Sequence, residues 1–354
     1  MTEKAISLLE RLIATPSFSK EESATADILE KFLIDAGLKT NRIYNNVWAL
    51  NSNFNPALPT LMLNSHHDTV KPVSTYTRDP FSPTLENGKI YGLGSNDAGG
   101  SVVALACTFI NLYNAILPFN ILLALTAAEE VMGEYGMRAF LPFIKENGID
   151  ISCAIVGEPT SMQPAIAERG LLVLDCISHG VSGHAARNEG INAIYHAIND
   201  IDILRNLKFE KTSPTLGPIK ITVTQIEAGN QHNIIPDICR FTADVRTTDA
   251  YTNEETANII ANNVNCDITP RSTRVWASVI PDNHPLVLAT VNLGLCPFVS
   301  PTTSDMALMH NLPSVKIGPG ESSRSHTANE YIKVDEIANA IKIYNQLILS
   351  IKEL

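Results

Sequence analysis

Residues 120–130, NILLALTAAEE, constrain the fold more than any other stretch of this chain: a short apolar run closes on two adjacent carboxylates, Glu129 and Glu130. An apolar run of this length with polar borders reads as a strand buried on both faces, or as a segment of buried helix. As a strand, its carboxyl end brings two acids to the rim of an α/β sheet, where open sheets bind ligands. Two neighbouring carboxylates repel each other, so the pair calls for a nearby cation or one shifted pKa, unless it is a solvated strand end.

The same arrangement recurs along the chain. A strand-like run at 60–63 leads into SHHDTVKP, and period-two alternation puts His66 and Asp68 on one side with His67 opposite, which favours His66 as a ligand. A carboxylate two residues beyond such a histidine can return to orient the imidazole. IYGLGSND delivers Asp97 just ahead of a helical run at 100–113, where an acid serves either as an N-cap or as a ligand. Residues 151–156 form another apolar run, ending in GEPT and Glu158, and GPGESSRSHTANEYI places His326 after a glycine-rich turn. Together, His66, Asp97, Glu130, Glu158 and His326 offer two imidazoles and three carboxylates. That set suits two borderline divalent ions such as Zn²⁺ with one carboxylate bridging, a centre that recurs in aminopeptidases and related hydrolases.

The remaining pattern organises the chain. Residues 4–14 form an amphipathic helix; Ser19 and Glu22 have capping-box spacing ahead of a second helix that Gly37 closes. Helical patterns also cover 133–147 and 334–354. The middle reads as strand 172–178, helix 192–207, strands 220–228 and 238–245, helix 253–263 and strand 274–279, the ferredoxin-like β-α-β-β-α-β order. The expected class is therefore α/β: a catalytic domain of residues 1–171 and 281–354, with a mixed central sheet flanked by helices, and an inserted α+β domain of residues 172–280.

Composition narrows the partners. The 354 residues carry a net charge of −11, which argues against nucleic acid or an anionic membrane as partner. No apolar run approaches the ~20 residues of a membrane span, and the N-terminus lacks the apolar core of a signal peptide. The six cysteines show no CxxC pair and sit mostly in apolar runs, as buried reduced thiols do. A cytoplasmic protein is the expectation.

In order along nearly the whole chain, IATPSFSKEE, SHHDTVKP, YGLGSNDAGG, TAAEE, VGEPT, SGHAA, NIIPD and GPGESSRSHTANEY resemble the di-zinc deacylase and exopeptidase family. That family contains acetylornithine deacetylase, succinyl-diaminopimelate desuccinylase, aminoacylases and glutamate-releasing carboxypeptidases. The resemblance implies that His66, Asp97 and Glu158 hold one zinc and Asp97, Glu130 and His326 the other, Co²⁺ or Mn²⁺ being possible substitutes. It makes Asp68 the acid that orients His66, Glu129 the general base, and the Asp97–Ala98 peptide cis. It further implies a homodimer in which the smaller domain acts as lid and dimerisation domain, with His184 and Asn233 completing the closed site and hinges near 171–172 and 281–284.

The C-terminal GPG and HTANEY are closest to the acetylornithine deacetylase branch. Gly318 and Gly320 read either as a tight turn or as backbone donors to a substrate carboxylate. Arg169 and Arg246 match positions that meet anionic groups of the substrate, or form structural ion pairs. Arg324 is unexpected in acetyl-specific members and would suit a second carboxylate such as a succinyl group. The resulting expectation is hydrolysis of N-acetyl- or N-succinylornithine to ornithine, in arginine biosynthesis. A di- or tripeptidase of the same family and a non-catalytic binding protein are the alternatives. The intact set of ligands and Glu129 stands against the last.

Overall fold

Each of the three apolar runs that precede a candidate ligand is a strand: Thr60–His66, Asn120–Thr126 and Cys153–Val156. The structure, a computed structural model, describes residues 1–309 and 311–354. Thr60–His66 lies parallel between the other two strands, and Ser314–Lys316 adds on beside Cys153–Val156, also parallel. Asn46–Leu50 and Asn41–Ile43 extend the opposite side antiparallel, so the sheet is mixed.

Every residue of the three central strands is buried, which is why their sequences are continuous apolar runs without polar alternation. Leu61, Leu63, Ile121, Leu123 and Leu125 pack into one cluster with the helices Thr2–Ile13, Gly100–Leu112 and Val334–Ser350. Met62, Leu122 and Ala124 face the other way, towards Trp48 and the helix Met137–Glu146. Truncating a fully buried residue such as Leu123 to alanine costs about 2–5 kcal/mol. Because four strands run parallel, their carboxyl ends share one rim, and that rim receives His66, Glu129, Glu158 and residues 317–320.

The helix boundaries correct the sequence reading in one place that bears on the site. The second helix is Ser23–Asp35, Glu22 is its N-cap residue without a side-chain cap, and Ser19 does not cap it. The Ser19 hydroxyl instead donates to Asp68 Oδ2 at 2.7 Å, and Glu22 accepts the Ala128 N–H at 3.1 Å and Asn45 Nδ2 at 3.0 Å. Gly37 does close this helix, at φ 83° in the left-handed region that glycine occupies freely. The final helix ends at Ser350, short of the expected 354.

The chain divides into two compact units, one of Met1–Ile166, Ile280–Phe298 and Ser304–Leu354, the other of Ala167–Val279 and Val299–Thr303. The second holds a four-stranded antiparallel sheet in the order Lys220–Ala228, Ile238–Thr247, Gly170–His179, Asp267–Pro270. With the helices Ala193–Asn206 and Asn253–Ala261 this is the ferredoxin-like arrangement. Gly170–His179 alternates buried and part-exposed residues, and Leu172, Leu174 and Cys176 meet Ala197, Leu204, Phe241 and Ile260 in its core. The fourth strand differs from the expected 274–279. Asp267–Pro270 pairs with Gly170–His179 in its place, and Ser278–Val279 pairs with Ala167 and Glu168. The short Asp- and Pro-bounded run reads as a turn in sequence, while the β-rich 274–279 reads as a strand wherever it pairs.

Cys107, Cys153, Cys176, Cys239 and Cys266 are buried free thiols, as expected of cysteines that sit mostly in apolar runs, and Cys296 is exposed. Among the described residues no helix is long and apolar enough to cross a membrane.

Candidate metal centre

His66 stands at the end of its strand with 1% of its surface exposed, and its two ring nitrogens face different groups. Nε2 lies 3.2 Å from Asp97 Oδ1, 3.6 Å from Glu158 Oε1 and 3.9 Å from Glu129 Oε2. Nδ1 lies 3.0 Å from the Asp68 carbonyl oxygen and 3.4 Å from Asp68 Oδ1. Burial works to lower the His66 pKa, but Glu129, Asp68, Asp97 and Glu158 outweigh it and hold the imidazole well above its ordinary value. His67 faces away, with Nδ1 2.9 Å from Thr25 Oγ1 and Nε2 2.9 Å from the Asn45 carbonyl. Burial keeps its pKa low.

Asp68 is fully buried and binds more than the histidine. Its Oδ1 accepts the backbone N–H of Glu129 at 3.0 Å, and Oδ2 accepts that of Glu130 at 3.2 Å. Burial opposes ionisation, but His66, the Ser19 hydroxyl and the Glu129 N–H hold its carboxyl below the usual range. The turn it grips begins at Ala128, in the left-handed region at φ 56°, which swings the chain off the strand and presents both glutamates.

Asp97 sits between the two histidines, Oδ1 toward His66 and Oδ2 3.6 Å from His326 Nε2. The Asp97–Ala98 peptide is cis. Burial would raise the Asp97 pKa, and His66, Ser325 and His326 bring it below the usual value. His326 Nε2 also lies 3.2 Å from Glu130 Oε1 and 3.1 Å from Oε2. The Glu130 contact pushes His326 up to about 9, against burial and with help from Asp97. Residues 66, 97, 129, 130, 158 and 326 thus converge on one rim of the first unit.

The acids are held in a state that invites positive charge. Burial, then repulsion from Glu158, Asp305 and Glu130, sets the Glu129 pKa well above the carboxylate range, although His66 opposes. Burial and Asp97 push Glu158 to about 8 against His66 and Lys316. His66, Asp97 and Glu130 bring ligand atoms within 4.8 Å of one another, as do His66, Glu129 and Glu158. Two imidazoles among buried carboxylates match the donor set of borderline divalent ions. The second grouping contains Glu129, whose expected part is that of a base and not a ligand.

Three supporting acids carry no signal of this role in the sequence. Glu330 gathers the turn around Asp97, accepting the N–H of Gly94 at 3.0 Å, of Asn96 at 2.7 Å and of Asp97 at 2.9 Å. Burial, with repulsion from Asp97, raises it to about 8. Asp305 accepts the Thr126 hydroxyl at 3.0 Å at the end of the Asn120–Thr126 strand, and burial raises it to about 6. Glu22 ties Ala128 to Asn45, as described above.

The expected substrate residues are placed differently. Arg324 is 7% exposed, with Nη1 2.8 Å from Glu336 Oε2, Nη2 3.0 Å from Oε1, a further pair with Glu321, and its guanidinium over the Tyr331 ring. It is a structural ion pair, which corrects its reading as the partner of a second substrate carboxylate. Gly318 donates its N–H to Thr160 Oγ1 at 3.1 Å and so is not a free donor to substrate. A Cβ there would meet the Glu158 carbonyl oxygen at 2.4 Å, so close packing explains this glycine, and Gly320 has φ 83°. In the second unit, Arg169 donates to the carbonyls of Pro218 and Leu216, and Arg246 forms a fork with Asp244 at 2.8 and 3.1 Å. His184 is exposed on the strand Gly183–His184, which pairs with Ile234–Ile235, and the Ala185 N–H donates to the Asn233 carbonyl. His184 and Asn233 are thus neighbours within that unit.

Comparison with known proteins points the same way. The sequence model described as peptidase family M20/M25/M40 matches residues 62–350. A succinyl-diaminopimelate desuccinylase of Wolbachia pipientis is 28% identical over 97% of this chain and 92% of its own length. An acetylornithine deacetylase of Edwardsiella ictaluri is also 28% identical, over 97% of this chain and 96% of its own. A dinuclear metal-binding peptidase of Bacillus subtilis shares the fold with a TM-score of 0.72 at 16% identity, covering all of this chain and 99% of its own.

Proposed function

We propose that this chain, which belongs to peptidase family M20/M25/M40, hydrolyses the amide bond of an N-acyl amino acid with two divalent cations held by His66, Asp97, Glu130, Glu158 and His326. The observation that carries the reading is the approach of His326 to Glu130 and Asp97 on the rim that also holds His66. Zinc is the proposed native metal, with Co²⁺ or Mn²⁺ as substitutes. When bound, the cations supply Lewis acidity towards a water and towards the amide carbonyl.

The protein groups do the rest. Glu129 takes a proton from the attacking water and passes it to the leaving amine, a task that suits a carboxyl whose pKa burial has raised. Asp68 orients the His66 ring through Nδ1 and fixes the backbone of Glu129 and Glu130 at once. Glu330 holds the turn that presents Asp97. His184 and Asn233, adjacent in the second unit, supply donors to the oxygen that gains negative charge. In the proposed homodimer they come from the partner subunit, and the second unit acts as lid and dimerisation domain. Support for that assembly is the open edge of the Lys220–Ala228 strand and the exposed Tyr195 and Ile198 on the helix Ala193–Asn206.

The substrate is an N-acylated diamino acid, with ornithine and diaminopimelate as the two candidates that the relatives' names supply. These would place the enzyme in arginine or lysine biosynthesis. The test is turnover by the zinc-loaded protein of N-acetylornithine, N-succinylornithine, N-succinyl-diaminopimelate and simple dipeptides. One acylated diamino acid should exceed every dipeptide by at least about tenfold in kcat/KM, a difference of ~1.4 kcal/mol. Preference for dipeptides would establish the peptidase reading that the Bacillus subtilis likeness favours, and no turnover of any amide overturns both.

A further inference from the structure

A cavity of about 490 Å³ opens in the first unit beside the turn that carries Glu129 and Glu130. Its walls come from three segments: the 19–22 turn with Lys20, the tight turn with Tyr44 between two sheet strands, and Val131, Glu134 and Tyr135 of the loop leaving Glu130. This volume lies within the range of small-molecule sites, commonly about 300–1,000 Å³.

Two features distinguish it from an ordinary surface cleft. The rings of Tyr44 and Tyr135 lie 4.7 Å apart with both residues more than half exposed, at 57% and 54%, and Val131 beside them is 51% exposed. Large apolar groups left open together in a concavity mark a ligand surface. Second, three of the lining residues hold left-handed backbone without being glycine: Lys20 at φ 80°, Tyr44 at φ 52° and Ala128 at φ 56°. Glycine is the cheapest residue in this conformation, so the lysine and tyrosine side chains are displayed here at a backbone cost.

The charges specify the occupant. Glu22, at the base, is buried and already accepts from the backbone of Lys20 and Ala128 and from Asn45. The free charges are Lys20 and Glu134, and among the described residues neither has an ion-pair partner. We propose that this cavity binds a zwitterionic α-amino-acid head group on an apolar chain, its carboxylate meeting Lys20 and its ammonium meeting Glu134 and the two tyrosine faces. For turnover this rests on the amidohydrolase reading and selects diaminopimelate within it: the head group is then the unacylated α-amino-acid end of N-succinyl-diaminopimelate, remote from the scissile amide, an end that an Nα-acylornithine lacks. Binding itself does not depend on that reading.

The experiment is calorimetric titration of the zinc-loaded protein with L-norleucine, hexanoate and pentylamine, repeated in Lys20→Met, Glu134→Gln and Tyr135→Ala. Thermal unfolding confirms that each variant keeps the fold, as expected for exposed side chains. In wild type, norleucine should bind at least about tenfold tighter than either single-charge probe. Lys20→Met should weaken norleucine and hexanoate and spare pentylamine, Glu134→Gln should weaken norleucine and pentylamine and spare hexanoate, and Tyr135→Ala should weaken both ammonium probes. Absence of saturation by norleucine, or equal binding by all three variants and wild type, overturns the proposal, because a ligand held only at the metals would ignore these substitutions. If the protein hydrolyses no amide yet shows this charge pattern, the hydrolase reading falls and the cavity assignment stands. If it hydrolyses acylated diamino acids without the pattern, the reverse holds.

Discussion

Asp68 Oδ1 accepts the backbone N–H of Glu129 at 3.0 Å, so the acid that orients His66 also sets where the proposed base stands. One buried carboxylate thereby couples a proposed ligand and a proposed base that come from different strands. Asp68→Asn should keep the shape while losing the charge, lowering zinc affinity and kcat/KM each by about 10–100-fold. Asp68→Ala strands two backbone N–H groups and the Ser19 hydroxyl, and should also destabilise the fold by roughly 3 kcal/mol or more. Zinc titration and urea unfolding of the two variants separate these effects.

Glu129 lies near His66 and Glu158, so its role as base and not ligand has a direct check. Glu129→Gln should retain two metals per chain by elemental analysis while kcat falls about 10²–10⁴-fold. Loss of one metal would make Glu129 a ligand.

The metal-free protein should lose stability as pH rises. Glu158 and Glu330 are raised from the usual carboxylate range to about 8, and His326 from 6.5 to about 9. Each group binds protons more tightly folded than unfolded, so its contribution is full below the unfolded pKa and is lost as pH climbs through the folded one. Asp68 and Asp97 are shifted down, and their contribution disappears only in acid, outside this window. Tm in chelator should therefore fall between about pH 5 and 9, and saturating zinc should flatten that slope by supplying the missing positive charge. A flat profile in chelator would contradict the electrostatic picture.

Arg324→Ala should act on stability and not on acyl choice. It removes a bidentate pair from a largely buried position, with Glu336 only partly exposed, which predicts a loss of about 2 kcal/mol in urea unfolding. kcat/KM for acetyl and succinyl substrates should change by the same factor.

Gly318→Ala should disturb the centre from behind. Its Cβ would press on the Glu158 carbonyl oxygen and on Ser101 Oγ, both at 2.4 Å. A cost of about 1–3 kcal/mol and weaker zinc binding are expected, measured by unfolding and metal titration.

The parts of the centre legible in the sequence are those written in strand periodicity. His66 over His67 followed from alternation alone, and Glu130 and Glu158 from apolar runs that end in acids. What pattern could not supply are contacts made to the backbone across long separations. Glu330 reaches N–H groups 233 to 236 positions away, and no residue spacing encodes a carboxylate aimed at bare amides. Ser19 failed as a cap for the same reason: Asp68, 49 positions on, takes its hydroxyl. Arg324 looked available because Glu336, its partner, lies on the helix that begins at Val334.

The grip of Glu330 on the Asp97 turn has a bearing on assembly. The proposed imidazole ligand at position 326 and the clamp on the turn carrying the proposed carboxylate ligand at 97 lie within the same few residues of the C-terminal segment. No fragment that stops short of residue 330 can shape both halves of the proposed cation site. Such a fragment also lacks the helix Val334–Ser350 that packs on the central sheet, so loss of the proposed zinc site and loss of the fold are expected together.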